Sequence, residues 1–455
     1  MKWVKRIAGI IAGIFIFTFI VCVLNYMYVG GTDEEERILW HSFYEDEGKI
    51  DNLYLGSSHV YFDIDPYQLD RLNGQYNFNL STPGQLMNGS YYLLREADRC
   101  NRLSHVYVEL YYYYNVYNVK DNFDGDRESI EKYLSFNWEN TDYMRLSFNK
   151  LQYMTTMADI EKYPDIFLGF TRYREHIDDW NYVREIMKRK RSSEYLNYQY
   201  RINYDDDENI YDEYFPKGRV YTSKELSPEQ RRIMQDWILE GNPMAETSEL
   251  YLRKVITYCQ EKDIPITLFI SPIYELLLIS TEHYDSYLEQ VRGIAAEYGL
   301  DVYDFNLVGG EYLPIQEPVY FRDAGHLNSK GAELFTDFFY KVVSGDTEEN
   351  RKYFYDSYEE KLAHAEPEVY GIYCRDEPEE DGEVQYRSMY LASNRAEGME
   401  YRIVMTPKSD KEQYLIQDFS ENRAFRADIS ERGTCTITYR MQDAPDVWKT
   451  IEITY

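Results

Sequence analysis

The chain has 455 residues, 44% of them apolar, and a formal net charge of −31. At ~100–200 residues per domain that length implies two or three folded units, and the apolar content excludes a disordered chain. The acidic balance repels phosphate backbones and excludes nucleic acid as a partner.

In chain order, the first element is a membrane anchor. Residues 7–24, "IAGIIAGIFIFTFIVCVL", carry no charge, and "NYMYV" extends the run. About 20 apolar residues cross a hydrocarbon core ~30 Å thick. Lys2, Lys5 and Arg6 precede the run, and Asp33 to Glu36 follow it. The positive-inside rule then puts the N-terminus in the cytoplasm and the rest of the chain outside. A cleaved signal peptide would have a shorter apolar region and a small-residue cleavage site. Residues 1–30 are therefore expected to be a cytoplasmic flank and a single-pass anchor.

Residues 45–345 read as strands alternating with helices, the pattern of a parallel sheet covered on both faces. The expected strands are Ile50–Leu55, Tyr76–Leu80, His105–Leu110, Ile266–Ile270 and Asp301–Phe305. The first and fourth are nearly continuous apolar runs, as strands buried on both faces are. A helix is expected over 85–97. "SPEQRRIMQDWILEG" opens with a capping box, Ser227 with Gln230 and Pro228 at the first turn, and predicts another. "TSELYLRKVITYCQEKD" and "NSKGAELFTDFFYKVV" carry helical periodicity.

Residues 115–225 interrupt the alternation and predict a helical insertion or cap. "DIEKYPDIF" and "WNYVREIMKRK" are its helical pieces. "KRKR", Lys188 to Arg191, reads as the solvated end of a helix. "YDDDENIYDEY", residues 204–214, lacks the spacing of a calcium loop and reads as a solvated acidic loop. Residues 346–365 read as a connecting helix or linker. From 366 to 455, short alternating segments predict an antiparallel β-sandwich. The five cysteines form no C-x-x-C pair, so no metal site is expected. Cys374 and Cys435 lie in strand-like segments, and a disulfide and two buried thiols both remain open.

Two stretches carry chemistry. The first strand ends on "LGSSH", Leu55 to His59. A serine hydroxyl needs a base to become a nucleophile, and the usual base is a histidine oriented by a carboxylate. Asp323 and His326 stand three residues apart after the last strand, just before an amphipathic helix. In a doubly wound sheet of order 2-1-3-4-5, loops after the strand ends open on the edge where ligands bind. Ser58 and His326 are thus expected to meet.

"LGSSH" and "DAGHLNSKGA" together resemble the SGNH, or GDSL-like, hydrolase superfamily. The resemblance covers about residues 45–345 and implies a flavodoxin-like three-layer α/β fold. It implies Ser58 as nucleophile, His326 as base and Asp323 as its orienter, with no cofactor. Ser57 stands where the common motif has Asp. The G-S-S variant with an anchor and a long insertion is similar to cell-envelope acyltransferases, including those that modify teichoic acids. The superfamily's oxyanion hole implies the Ser58 N–H, Gly84 and an asparagine, Asn88 or Asn115. His59 is a candidate substrate contact.

The expectation is a membrane-anchored extracellular serine esterase or O-acyltransferase. Its expected partners are the bilayer, an acylated cell-surface polysaccharide or teichoic-acid-like polymer, and a membrane-bound O-acyltransferase. A non-catalytic protein that binds envelope polymer on the same scaffold is the alternative.

Overall fold

The computed structural model describes residues 2–29, 34–116, 140–157, 163–204, 207–233, 244–281, 283–375, 379–381, 384–395, 397–409 and 412–455. Five strands form its central sheet: β1 (Asn52–Leu55), β2 (Asn77–Asn79), β3 (His105–Glu109), β4 (Ile266–Ile270) and β5 (Val302–Asp304). Their order is β2-β1-β3-β4-β5, and every neighbouring pair is parallel. All five lie where the apolar runs predicted them.

Helices connect the strands because their apolar residues recur at helical spacing. The clearest is Ser329–Val343, capped by Asn328, whose side chain accepts from the N–H groups of Lys330 and Gly331. It buries Ala332, Phe335, Thr336, Phe339 and Val342, one stripe at i, i+3, i+4, i+7 and i+10. Phe339 lies across the sheet, with ring centroids 6.1 Å from Tyr54, 5.7 Å from Tyr107 and 4.9 Å from Phe269. One side chain thereby ties β1, β3 and β4 together.

Local signals over-reached in three places. The capping box at Ser227 forms, but it starts only a 3₁₀ turn, Pro228–Arg231, and Arg232–Ile233 then become a strand. Most of the helix expected from there, residues 234–241, lies outside the described residues. The helix expected over 85–97 runs Met87–Cys100. In the acidic stretch 204–214, the described residues, 204 and 207–214, are strand rather than loop. Tyr200–Tyr204, Asp207–Phe215 and Arg219–Thr222 form a three-stranded antiparallel sheet, and Asp212 on its central strand is buried. Its alternating tyrosines and Ile210 supply the β-pattern that the charges mask.

The N-terminal helix, Lys2–Tyr28, holds a 24-residue segment, Lys5–Tyr28, of mean hydropathy 2.9 that is long and apolar enough to cross a membrane. Its C-terminal end is received by the insertion. Tyr28 Oη donates to the Ile177 carbonyl at 2.9 Å, and the Phe170 N–H donates to Asn25 Oδ1 at 2.9 Å. Lys190 Nζ donates to the Tyr26 carbonyl at 2.8 Å and to that of Val29. Lys190 is therefore buried rather than solvated: it caps carbonyls that a helix end leaves bare, and its charge opposes the helix dipole.

The C-terminal strands form two sheets packed face to face. One joins 369–373, 384–393, 379–381 and 424–428; the other joins 399–407, 414–420, 433–441 and 448–454. Inward residues alternate along the strands, as at Cys435, Ile437 and Tyr439. Cys374 and Cys435 are both buried and free. The sandwich is fastened to the α/β region twice. Arg232–Ile233 adds to its first sheet as a parallel strand. The segment expected as a connecting helix or linker holds a helix, Tyr358–His364, whose Lys361 forms a buried ion pair with Glu275 at 3.0 Å.

Candidate active site

The strand β1 turns at Gly56, where a Cβ would stand 2.6 Å from Glu109 Cβ and 2.7 Å from Val60 Cγ2. Only glycine lets β1 and β3 approach this closely at the turn. Ser57 then takes the N-cap position of a short helix, Ser58–Asp63. Ser58 is its first residue, so its N–H has no intrahelical acceptor.

Ser58 Oγ lies 2.7 Å from His326 Nε2, and His326 Nδ1 lies 2.8 Å from Asp323 Oδ1. Asp323 Oδ1 also accepts the N–H groups of Gly325 and His326, each at 3.0 Å. Asp323 is therefore an acceptor, so Nδ1 carries the imidazole proton and Nε2 faces the serine hydroxyl. Burial opposes the charge on Asp323, yet His326, Arg322 and the Gly325 N–H outweigh it and hold the carboxyl well below the usual range. Two stretches 268 residues apart thus form one hydrogen-bonded chain, serine to imidazole to carboxylate.

The Asp323–His326 loop is braced from both sides by residues that the local sequence pattern does not single out. Arg322 Nη1 donates to Asp323 Oδ2 at 2.8 Å. Its Nη2 donates to Asp212 Oδ2 at 2.7 Å and to Tyr204 Oη at 3.1 Å. Asp63, at the end of the serine's own helix, accepts the Leu327 N–H at 3.0 Å. The helix that carries Ser58 and the histidine loop are therefore tied by the Asp63 carboxyl as well as by the Ser58–His326 contact. Tyr204 donates to Asp212, eight residues on, at 2.7 Å, but the arginine that Asp212 meets and the N–H that Asp63 accepts lie 110 and 264 residues away.

Behind the serine sits a second polar group. Ser57 Oγ lies 3.1 Å from His59 Nδ1 and 3.4 Å from Glu109 Oε2. The His59 ring packs 4.7 Å from that of His326 and 3.8 Å from Tyr111. Burial first, and His326 second, push the His59 pKa well down, so it stays neutral. Burial pushes Glu109 up to about 8 against several hydrogen bonds that favour its charge. A glutamate closing the apolar strand "HVYVE" was the available signal for this residue.

The expected oxyanion donors are placed less directly. Gly84 has φ +58 in the turn before the helix Met87–Cys100, a conformation that favours glycine. Asn88 is buried in the first turn of that helix, with Nδ2 3.4 Å from Thr156 Oγ1. Asn115 donates at 2.9 Å to the carbonyl of Tyr111, the N-cap of its own short helix, Tyr112–Asn115. None of the three is hydrogen-bonded to Ser58 among the described residues.

A cavity of about 300 Å³ opens beside the triad. The loop Asp323–His326 forms one wall, and Leu277, Gln230, Arg232 and Ile233 form the other. A serine hydroxyl, an oriented imidazole and a pocket are the elements an acyl transfer needs. No protein-family model and no curated protein matches this chain.

Proposed function

We propose that the protein is a membrane-anchored, extracytoplasmic serine esterase or O-acyltransferase of SGNH type, acting on acyl groups of cell-envelope glycopolymers. The 2.7 Å approach of Ser58 Oγ to His326 Nε2 carries this reading.

Ser58 Oγ attacks an acyl carbonyl as its proton passes to His326 Nε2. Asp323, charged throughout, stabilises the imidazolium. The tetrahedral intermediate collapses, and His326 returns the proton to the departing alcohol oxygen. An ester on Ser58 remains. Water or a sugar or polyol hydroxyl then gives its proton to His326 and takes the acyl group, and His326 returns that proton to the departing Ser58 Oγ. The Ser58 N–H, with Gly84 and Asn88 as further candidates, would face the developing oxyanion. Removing one such donor costs ~10²–10³ in rate.

The anchor supports an envelope substrate, because a tethered enzyme works on polymers at the membrane face. The basic flank of Lys5 and Arg6 favours a cytoplasmic N-terminus. A membrane-bound O-acyltransferase is the partner class that would supply acyl groups.

The test is a fluorophosphonate probe on the full-length protein in detergent, with the adduct located by peptide mass. Covalent labelling of Ser58 that disappears in His326→Ala supports the reading. A folded wild-type protein that takes no label at Ser58 overturns it.

A further inference from the structure

The insertion carries a helix, Trp180–Arg189, whose outer face the acyl-transfer chemistry does not use. Val183 and Ile186 are buried on its inner side, and Asp179 caps it by accepting the N–H groups of Asn181 and Tyr182. Trp180, Arg184 and Lys188, at i, i+4 and i+8, form one exposed stripe, and Arg191 is exposed in the turn that follows. Trp180 is 70% exposed, and Ile177, in the turn before it, is 60% exposed. From 180 to 191 the chain has five basic residues and one acid, Glu185, which lies off the stripe. In a protein of net charge −31 this is a local reversal of sign.

Both ends of this helix reach one turn of the N-terminal helix. The Ile177 carbonyl accepts from Tyr28 Oη at 2.9 Å, Tyr182 Oη donates to the Tyr28 carbonyl at 3.2 Å, and Lys190 Nζ donates to the Tyr26 carbonyl at 2.8 Å. The apolar segment Lys5–Tyr28 has 24 residues and is therefore about 36 Å long. A hydrocarbon core is ~30 Å thick, so about one turn is left for the headgroup layer. Asn25, Tyr26 and Tyr28 give the last turn the polar and aromatic character of that layer. What grips this turn lies at the same depth. Tryptophan and long basic side chains are the types that settle there, the indole at the acyl boundary and the cations among the headgroups.

We propose that the helix Trp180–Arg189 is a second membrane contact: it lies on the phospholipid headgroup layer beside the N-terminal helix, with Trp180 at the acyl boundary and Arg184, Lys188 and Arg191 on lipid phosphates. The proposal rests on the membrane-spanning reading of Lys2–Tyr28 and not on the triad. Anionic lipid strengthens such a contact, because each basic side chain near the surface is drawn to it within a Debye length. One spanning helix leaves a domain free to swivel, and a second contact fixes which face it turns to the bilayer. The insertion also supplies Asp212, which meets Asp323 through Arg322, so the same contact sets how the Asp323–His326 loop faces the membrane.

The test is tryptophan quenching in the full-length protein held in lipid nanodiscs. The chain has six tryptophans, so the Trp180 signal is read as wild type minus Trp180→Phe. Phosphatidylcholine brominated high in its acyl chains is expected to lower that signal at least twofold. Replacing a third of the lipid by phosphatidylglycerol is expected to deepen the quenching, and the combined variant Arg184→Gln, Lys188→Gln, Arg191→Gln is expected to abolish the increment. If that variant does not fold, high salt on the wild type replaces it, because salt screens the same attraction. A Trp180 signal that brominated lipid leaves unchanged overturns the proposal, whether aqueous acrylamide then quenches it, as open solvent would allow, or fails to, as a covering protein would cause. No increment with phosphatidylglycerol, or one that survives both the combined variant and salt, overturns the role of the basic stripe. The readings fail separately. Protein that does not stay with the discs overturns the membrane-spanning reading instead, and fluorophosphonate labelling of Ser58 decides the triad independently of either result.

Discussion

Arg322 joins Asp212 to Asp323: its Nη2 lies 2.7 Å from Asp212 Oδ2, and its Nη1 lies 2.8 Å from Asp323 Oδ2. The antiparallel sheet of the insertion thereby holds the carboxylate that orients His326. Asp212→Asn keeps the size of the side chain and removes its charge. It is expected to lower hydrolysis of nitrophenyl acetate by ~10- to 100-fold, the usual cost of a small misplacement. Melting of the variant distinguishes this from unfolding: activity falls while most of the protein stays folded at the assay temperature.

Asp323→Asn replaces the acceptor of the Nδ1 proton with a group that can donate, so His326 loses its tautomer. The turnover number is expected to fall by ~10³–10⁴. A linked stability effect has a defined sign. The folded carboxyl lies below its ordinary value of 3.8, so its stabilisation is complete above that pH and fades as pH falls toward the folded value. Melting curves of wild type and Asp323→Asn should therefore differ most at neutral pH and converge in acid.

Glu109 gives the opposite slope. Its pKa rises from 4.5 to about 8 on folding, so the native state binds the proton more tightly than the unfolded chain. A tenfold gain in proton affinity is worth about 1.4 kcal/mol. That stability is present in acid and is lost as pH rises from about 4.5 to 8. Glu109→Gln, which cannot ionise, is expected to flatten this decline in thermal melts. An unchanged pH profile in the variant would show that Glu109 is already ionised in the fold.

Phe339→Ala empties the point where β1, β3 and β4 are bridged. The cost expected for a fully buried phenylalanine is about 3–5 kcal/mol, measured by urea unfolding. Because the helix carrying Phe339 begins just after His326, the loss should also loosen the triad. Fluorophosphonate labelling of the remaining folded protein should slow.

Much of this was legible in the residues. The five core strands and the N-terminal helix are specified by apolar runs, and the helix after His326 by apolar periodicity and the Asn328 cap; those signals act within one or two turns of chain. The Ser58, Asp323 and His326 set was legible for the same reason. Asp323 and His326 sit three apart at a helix start, and Gly56-Ser57-Ser58 sits at a strand end. Charge misled where burial overrode it. Asp212 and Lys190 lie in stretches that look solvated, yet each is buried because a distant partner, Arg322 or the end of the N-terminal helix, meets it.

By itself the sequence determined the elements, their alternation and the chemical types present near each strand end, because these depend on neighbours along the chain. Only the tertiary structure decided which distant groups face one another. Sheet order β2-β1-β3-β4-β5 brings Ser58 to His326, the insertion brings Asp212 to Arg322, and the added strand brings Ile233 to the cavity. These pairings join residues up to 268 positions apart, and no local propensity encodes them; they follow from burying shared apolar faces.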